Sequence, residues 1–110
     1  MNCIFCKIVA GEIPATILGS NDEAMAIADV NPMAPTHALV LPRAHAPNLA
    51  AYLRERPDGL EAIFALAAEI GERSGNGYRF VVNTGPDGGQ TVEHLHVHVL
   101  GGRAMQWPPG

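Results

Sequence analysis

Cysteines far apart in sequence are missing from this 110-residue chain, whose only two stand together in Cys3-Ile4-Phe5-Cys6. That excludes a framework of disulfides between distant segments, fits a reducing compartment, and leaves a metal or redox role for the pair to be weighed. Runs of Lys or Arg are missing too. Seven basic residues against eleven acidic ones give a net charge of −4, which disfavours binding along a nucleic-acid backbone. No window is long and apolar enough to span a bilayer, and the start, Met1-Asn2-Cys3-Ile4-Phe5-Cys6-Lys7, lacks the basic region and apolar stretch of a leader. The expectation is a cytoplasmic protein with neither membrane nor nucleic acid as partner. Repeats, low-complexity tracts and Ser/Gly linkers are absent as well, so residues 1–110 read as one undivided domain. What is present, 47% apolar and 16% charged residues, suits a folded chain long enough to build a single core.

Period and punctuation predict the elements. Ala15 to Leu18 and Ala24 to Asp29 are short apolar stretches flanking the turn-rich Gly19-Ser20-Asn21-Asp22, and they predict a hairpin. Asn31-Pro32 and Ala34-Pro35 fix a loop, after which His37-Ala38-Leu39-Val40-Leu41-Pro42 reads as a third strand. From Asp58 to Arg73, Leu60, Ile63, Phe64, Ala67 and Ile70, with Gly71, trace one helical stripe turned away from Glu61, Glu69 and Glu72. Gly75-Asn76-Gly77 ends that helix, and Tyr78 to Asn83 and Val92 to Leu100 supply two more strands around the loop Gly85-Pro86-Asp87-Gly88-Gly89. The order β-β-β-α-β-β predicts an α+β fold, a five-stranded antiparallel sheet with one main helix packed on it.

On a strand, alternate side chains share a face, so His94, His96 and His98 would line one face and Leu95, Val97 and Val99 the other. Three imidazoles in register are hard to explain by packing, because each buried ring has two nitrogens to satisfy. They can ligate a metal, move protons or attack as nucleophiles, and spacing alone does not choose among these. The glycines of the adjacent loop allow backbone N–H groups to approach an anion, and Gln90 and Thr91 add neutral donors, so a phosphate suits the place better than a metal. A catalytic zinc held by all three histidines is awkward, since the first and third would converge from about 13 Å apart on a strand.

The segment Gly88-Gly89-Gln90-Thr91-Val92-Glu93-His94-Leu95-His96-Val97-His98-Val99-Leu100-Gly101-Gly102-Arg103 resembles the signature of the histidine triad nucleotide-binding family. Cys3 to Ala15 resembles that family's N-terminal segment, and Asp29 to His45 its Asp-x-x-Pro-x-x-x-x-His-x-Leu-Val-x-Pro-x-x-His block. Gly101-Gly102-Arg103 and the ending Trp107-Pro108-Pro109-Gly110 resemble the phosphoramidase branch, and the proline that commonly follows the triad in dinucleoside polyphosphate hydrolases is absent. The resemblance implies hydrolysis of a purine nucleoside 5′-phosphoramidate or aminoacyl adenylate through a nucleotidyl-histidine, with His94, His96 and His98 as the catalytic set. His96 would be the nucleophile and His98 a donor to a phosphate oxygen. Contacts to the nucleotide would come from Ile4, Phe5, Ile13, Asp29, Leu39, Asn83, Gly89, Gln90, Thr91, Val92 and His98, with Asp29 accepting from the ribose hydroxyls. Thr91 replaces the more usual serine, and His37 matches a position near the triad without a firm role.

Two cysteines two residues apart can serve one tetrahedral metal if histidines complete the set. In the wider superfamily, which includes galactose-1-phosphate uridylyltransferase, the matching ligands are His45 and His94, so the resemblance implies a structural zinc on Cys3, Cys6, His45 and His94. It also implies a homodimer, in which the Trp107 segment would reach the neighbouring active site. Two rivals remain at this level: a metallohydrolase, and a binding module that keeps the nucleotide pocket without catalysis.

Overall fold

The computed structural model describes residues 3–110. Its elements are α1 (Ile4–Val9), β1 (Ile17–Ser20), β2 (Ala24–Ala28), β3 (Thr36–Pro42), α2 (Leu49–Glu55), α3 (Leu60–Glu72), β4 (Tyr78–Val81) and β5 (Val97–Gly101). The strands form one antiparallel sheet in the order β1-β2-β3-β5-β4, with α3 packed on one face, which is the α+β arrangement expected. No described helix is long and apolar enough to cross a membrane.

The period of two divides the sheet. Ala24, Ala26, Ala38, Val40, Val97 and Val99 pack with Ile63, Leu66, Ala67 and Ile70 of α3, whose buried positions recur every three to four residues. Their neighbours Met25, Ile27, Leu39 and Leu41 face the other way and form a second cluster with Phe5 of α1. Thus α1 caps the face that α3 leaves open, and the functional residues gather there.

The closest approach of α3 to the sheet edge depends on Gly71. A Cβ built there would lie 2.5 Å from Cδ2 and 2.6 Å from Cε2 of Tyr78, so the ring sits where an alanine methyl would go. Gly71→Ala gains about 1 kcal/mol in helix propensity and loses about 1–3 kcal/mol to overpacking. We expect a net destabilisation, read as a lower urea midpoint and relieved in a Tyr78→Ala background.

Several boundaries differ from the sequence expectation. The helices α1 and α2 were not expected. α1 is only six residues long and rich in β-branched side chains, so it stands on the packing of Phe5 and on the Sγ of Cys3, which accepts from Cys6 N. α2 is capped by Asn48, whose side chain accepts from Ala51 N at 2.9 Å. β1 runs two residues later than expected, and β4 ends at Val81. The last strand begins at Val97 instead of Val92, because β3 ends in Pro42, which has no N–H to continue the ladder. The chain there leaves the sheet: Leu95 N donates to Ala46 O at 2.8 Å, and the Pro42 carbonyl accepts from a side chain, His94 Nε2.

Candidate active site and metal centre

The three histidines therefore do not share a regular strand. Only His98 lies in β5, while His94 and His96 stand on the irregular segment before it. They still face one side. His96 and His98 have ring centroids 5.1 Å apart, and the Phe5 ring stands 5.1 Å from His96 and 5.8 Å from His94. The file continues at both ends, with His45 at 4.9 Å from His94 and His37 at 5.2 Å from His98.

Backbone partners fix the protons of these rings, because a carbonyl only accepts and an amide N–H only donates. His96 Nδ1 lies 2.8 Å from the His94 carbonyl, so Nδ1 carries the hydrogen and Nε2 of the neutral ring holds a lone pair. His37 Nδ1 accepts from Met33 N at 3.0 Å, which puts its hydrogen on Nε2. That N–H donates to His98 Nδ1 at 2.9 Å, with the Asp29 carboxylate at 3.3 Å, and leaves His98 with Nε2–H as a donor. A lone pair and an N–H thus stand side by side, and neither has a partner among the described residues. His96 is only 7% exposed, yet no buried side-chain nitrogen there lacks a partner, so its Nε2 is reachable from solvent.

Burial, then the neighbouring His96 and His37, lower the pKa of His98 from 6.5 to about 4, with Asp29 opposing. Unfolding restores the ordinary value, so between these limits the unfolded chain binds more protons than the folded one. The contribution of a neutral His98 to stability is complete above 6.5 and is lost as the pH falls towards 4. Urea midpoints at about pH 7 and about pH 5 should differ less in His98→Asn than in the wild type.

The nucleotide-contact residues expected from sequence separate into groups. Phe5, Leu39 and Val92 join the apolar cluster beneath the histidines, whereas Ile4 is 48% exposed and Ile13 lies outside the cluster. Met25 and Ile27, which sequence reasoning missed, complete the floor; their alternation with Ala24 and Ala26 was the available signal. Asp29 accepts from Asn31 N and faces His37. Gln90 was expected as a free donor, but its amide group clasps the loop, donating to Pro47 O and Val92 O and accepting from Gly85 N. Gly89 N and Gln90 N likewise close turns onto Pro86 O and Gly85 O, and Asn83 donates to Gly88 O. Thr91 is exposed at the loop exit, its hydroxyl without a partner among the described residues.

Cys3, Cys6, His45 and His94 bring their ligand atoms within 4.8 Å of one another. Sulfur to Nδ1 distances are 3.3 Å for Cys3–His94, 3.4 Å for Cys6–His45 and 3.5 Å for Cys6–His94, and the two Nδ1 atoms are 3.1 Å apart. A tetrahedral zinc with ordinary bond lengths has edges of about 3.6 Å between sulfur and nitrogen and about 3.3 Å between nitrogens. The four residues fit a structural zinc. His94 donates from Nε2 to Pro42 O at 2.9 Å, so its Nδ1 lone pair faces the other three ligands, the orientation a bound metal requires. Burial, then the hydrogen bond with Cys3, raise the pKa of Cys6, so taking up a cation displaces a proton. Asp29, His37 and His98 also converge, but they do not suit a cation: with Met33 N on Nδ1, a neutral His37 has no second lone pair to offer.

Comparison with known proteins agrees with this geometry. A family model described as HIT domain matches residues 10–105. A HIT-like protein of Synechococcus elongatus is 47% identical over 109 residues, covering 97% of this chain and 96% of that protein. A "14 kDa zinc-binding protein" of Zea mays is 41% identical over 111 residues, covering 97% of this chain and 87% of that protein. The crystal structure of a HIT family hydrolase from Legionella pneumophila Philadelphia 1 superposes with a TM-score of 0.93 at 42% identity, covering 99% of this chain and 100% of that one.

Proposed function

The chain belongs to the HIT domain family, and from that premise we propose that it is a purine nucleoside phosphoramidase working through a nucleotidyl-histidine. The observation that carries the reading is the pairing of a lone pair on His96 Nε2 with an N–H on His98 Nε2, the first set by the His94 carbonyl and the second by His37, whose own hydrogen Met33 N places. His96 Nε2 attacks the α-phosphorus of an adenosine phosphoramidate or aminoacyl adenylate, and the bond from phosphorus to the leaving group breaks, its electron pair departing with an amine that takes a proton from water or with a carboxylate; water then adds to phosphorus, the phosphorus–nitrogen bond to His96 breaks, and AMP, neutral His96 and a proton are released. His98 Nε2–H donates to a phosphate oxygen as charge gathers there. His37 is a positioning residue that holds His98 in the donor tautomer. Phe5, Ile27 and Leu39 offer the base an apolar floor, and Thr91 a donor to the phosphate.

Cys3, Cys6, His45 and His94 would hold zinc, which when bound supplies a rigid cross-link between α1 and the chain leading to His96. A cytoplasmic homodimer belongs to the same reading. Two features favour self-association: β4 is an open sheet edge, and Trp107 is 82% exposed. The test is turnover of adenosine 5′-phosphoramidate beside a dinucleoside polyphosphate. Preference for the phosphoramidate supports the proposal, preference for the polyphosphate moves the chain to the other hydrolase branch, and nucleotide binding without turnover of either makes it a binding module.

A further inference from the structure

Just after β3, three consecutive residues each serve a different part of the site. His45 brings Nδ1 into the metal cluster, the Ala46 carbonyl accepts from Leu95 N between His94 and His96, and the Pro47 carbonyl accepts from Gln90 Nε2 at 2.6 Å. Little in this stretch can give way. Ala46 is buried in the core beneath α3, Pro47 fixes its own φ and restricts Ala46 to extended backbone, and Asn48 is pinned as the cap of α2. From His45 to Pro47 the chain spans at most about 7 Å.

Gln90 is held as firmly. Gly85 N donates to its Oε1 at 3.1 Å, and the hydrogens on Nε2 go to Pro47 O and, at 3.0 Å, to Val92 O. The amide has one orientation, because the reverse would set its hydrogens against Gly85 N–H and its oxygen against two carbonyls. The bond to Val92 O reaches over Thr91, so the residue whose hydroxyl is offered to the phosphate sits in a ring closed by Gln90 and anchored on Pro47.

We propose that residues 45–47 couple the metal centre to the phosphate-binding loop, so that zinc and the 5′-phosphate of a nucleotide each tighten the other's hold, with Gln90 as the positioning residue that completes the link. The inference rests on the proposed nucleotide and zinc sites and adds their dependence on each other. A cation on His45 selects the placement of the strap in which Pro47 O meets Gln90, and a phosphate on Thr91 selects the same placement from the other end, so the coupling is reciprocal. Phe5 gives zinc a second route to the nucleotide through the base floor, and that route acts on adenosine and AMP alike. The part carried by Gln90 acts on the phosphate alone.

The experiment is calorimetric titration of AMP and of adenosine into zinc-loaded and zinc-stripped protein, for the wild type and for Gln90→Met, whose neutral side chain has similar length and no donors. Zinc is expected to tighten AMP at least about fivefold more than adenosine in the wild type, and to tighten the two about equally in Gln90→Met. A general loss of stability in the variant weakens both ligands and does not imitate this difference. If the zinc-stripped chain unfolds, the loaded proteins give the same comparison from the metal side: zinc should pass to a chelator at least about fivefold more slowly under saturating AMP than under saturating adenosine, and Gln90→Met should erase the difference. With either readout, equal values for AMP and adenosine in the wild type overturn this inference alone. So does an excess for AMP that survives in Gln90→Met, which would be the direct attraction of the cation for the phosphate. Failure to bind zinc, or AMP binding no tighter than adenosine to the loaded wild type, overturns the corresponding proposed site and this inference with it.

Discussion

Replacing His96 by alanine is expected to lower the turnover of adenosine phosphoramidate by at least about a thousandfold, with the fold and nucleotide binding kept. The size follows from the division of labour in the site. Among the three described triad histidines, His96 alone has a lone pair aimed outward, since His94 Nδ1 faces the cysteines and His98 Nδ1 is occupied by His37. Intact-protein mass spectrometry after rapid acid quench should find a nucleotidyl adduct on the wild type and none on His96→Ala. A variant that keeps more than a tenth of the activity would sink the covalent mechanism. Chelation discriminates the remaining rival: a catalytic metal predicts that activity disappears while the chain is still folded, whereas a bracing zinc predicts that activity and melting fall together.

The second large effect is expected at the cysteines. Cys3→Ser or Cys6→Ser should abolish stoichiometric zinc and lower the melting temperature by about 10 °C or more, since losing even a few kcal/mol of metal-linked stability weighs heavily in a domain of this size. The loss should be concentrated at α1, which has six residues and no acidic first turn to stabilise it alone. Nucleotide affinity should weaken with it, because Phe5 is in contact with both His94 and His96. Zinc content by atomic absorption, melting with and without chelator, and nucleotide titration of the same preparations check the three parts. A Cys6→Ser protein that melts like the wild type would show that the ligand set does not bind metal in solution.

The sheet and α3 were legible because strong periods write them: alternation in β2 and β3, and the stripe from Leu60 to Ile70. The convergence of Cys3, Cys6, His45 and His94 was legible through spacing and resemblance. What stayed hidden depends on contacts between distant segments. α1 is too short for a period and stands on tertiary packing, and the departure of His94 from the ladder follows from Pro42 on another strand. The proton order from Met33 through His37 to His98 requires knowing which backbone groups face which nitrogens. Gln90 read as a ligand donor because its chemistry suits one, yet the carbonyls of Pro47 and Val92 already take its hydrogens.

Alternation along β3 and β5 also has an evolutionary consequence. Ala38, Val40, Val97 and Val99 face the helix, while His37, Leu39, His98 and Leu100 face the site, so neighbouring codons answer to different selection. Substitution in the first set is expected to change how much folded protein a cell keeps, and substitution in the second to change the site, with Leu39 and His98 counting in both. A mutational scan scored for abundance and for turnover should therefore return two combs with largely interleaved teeth.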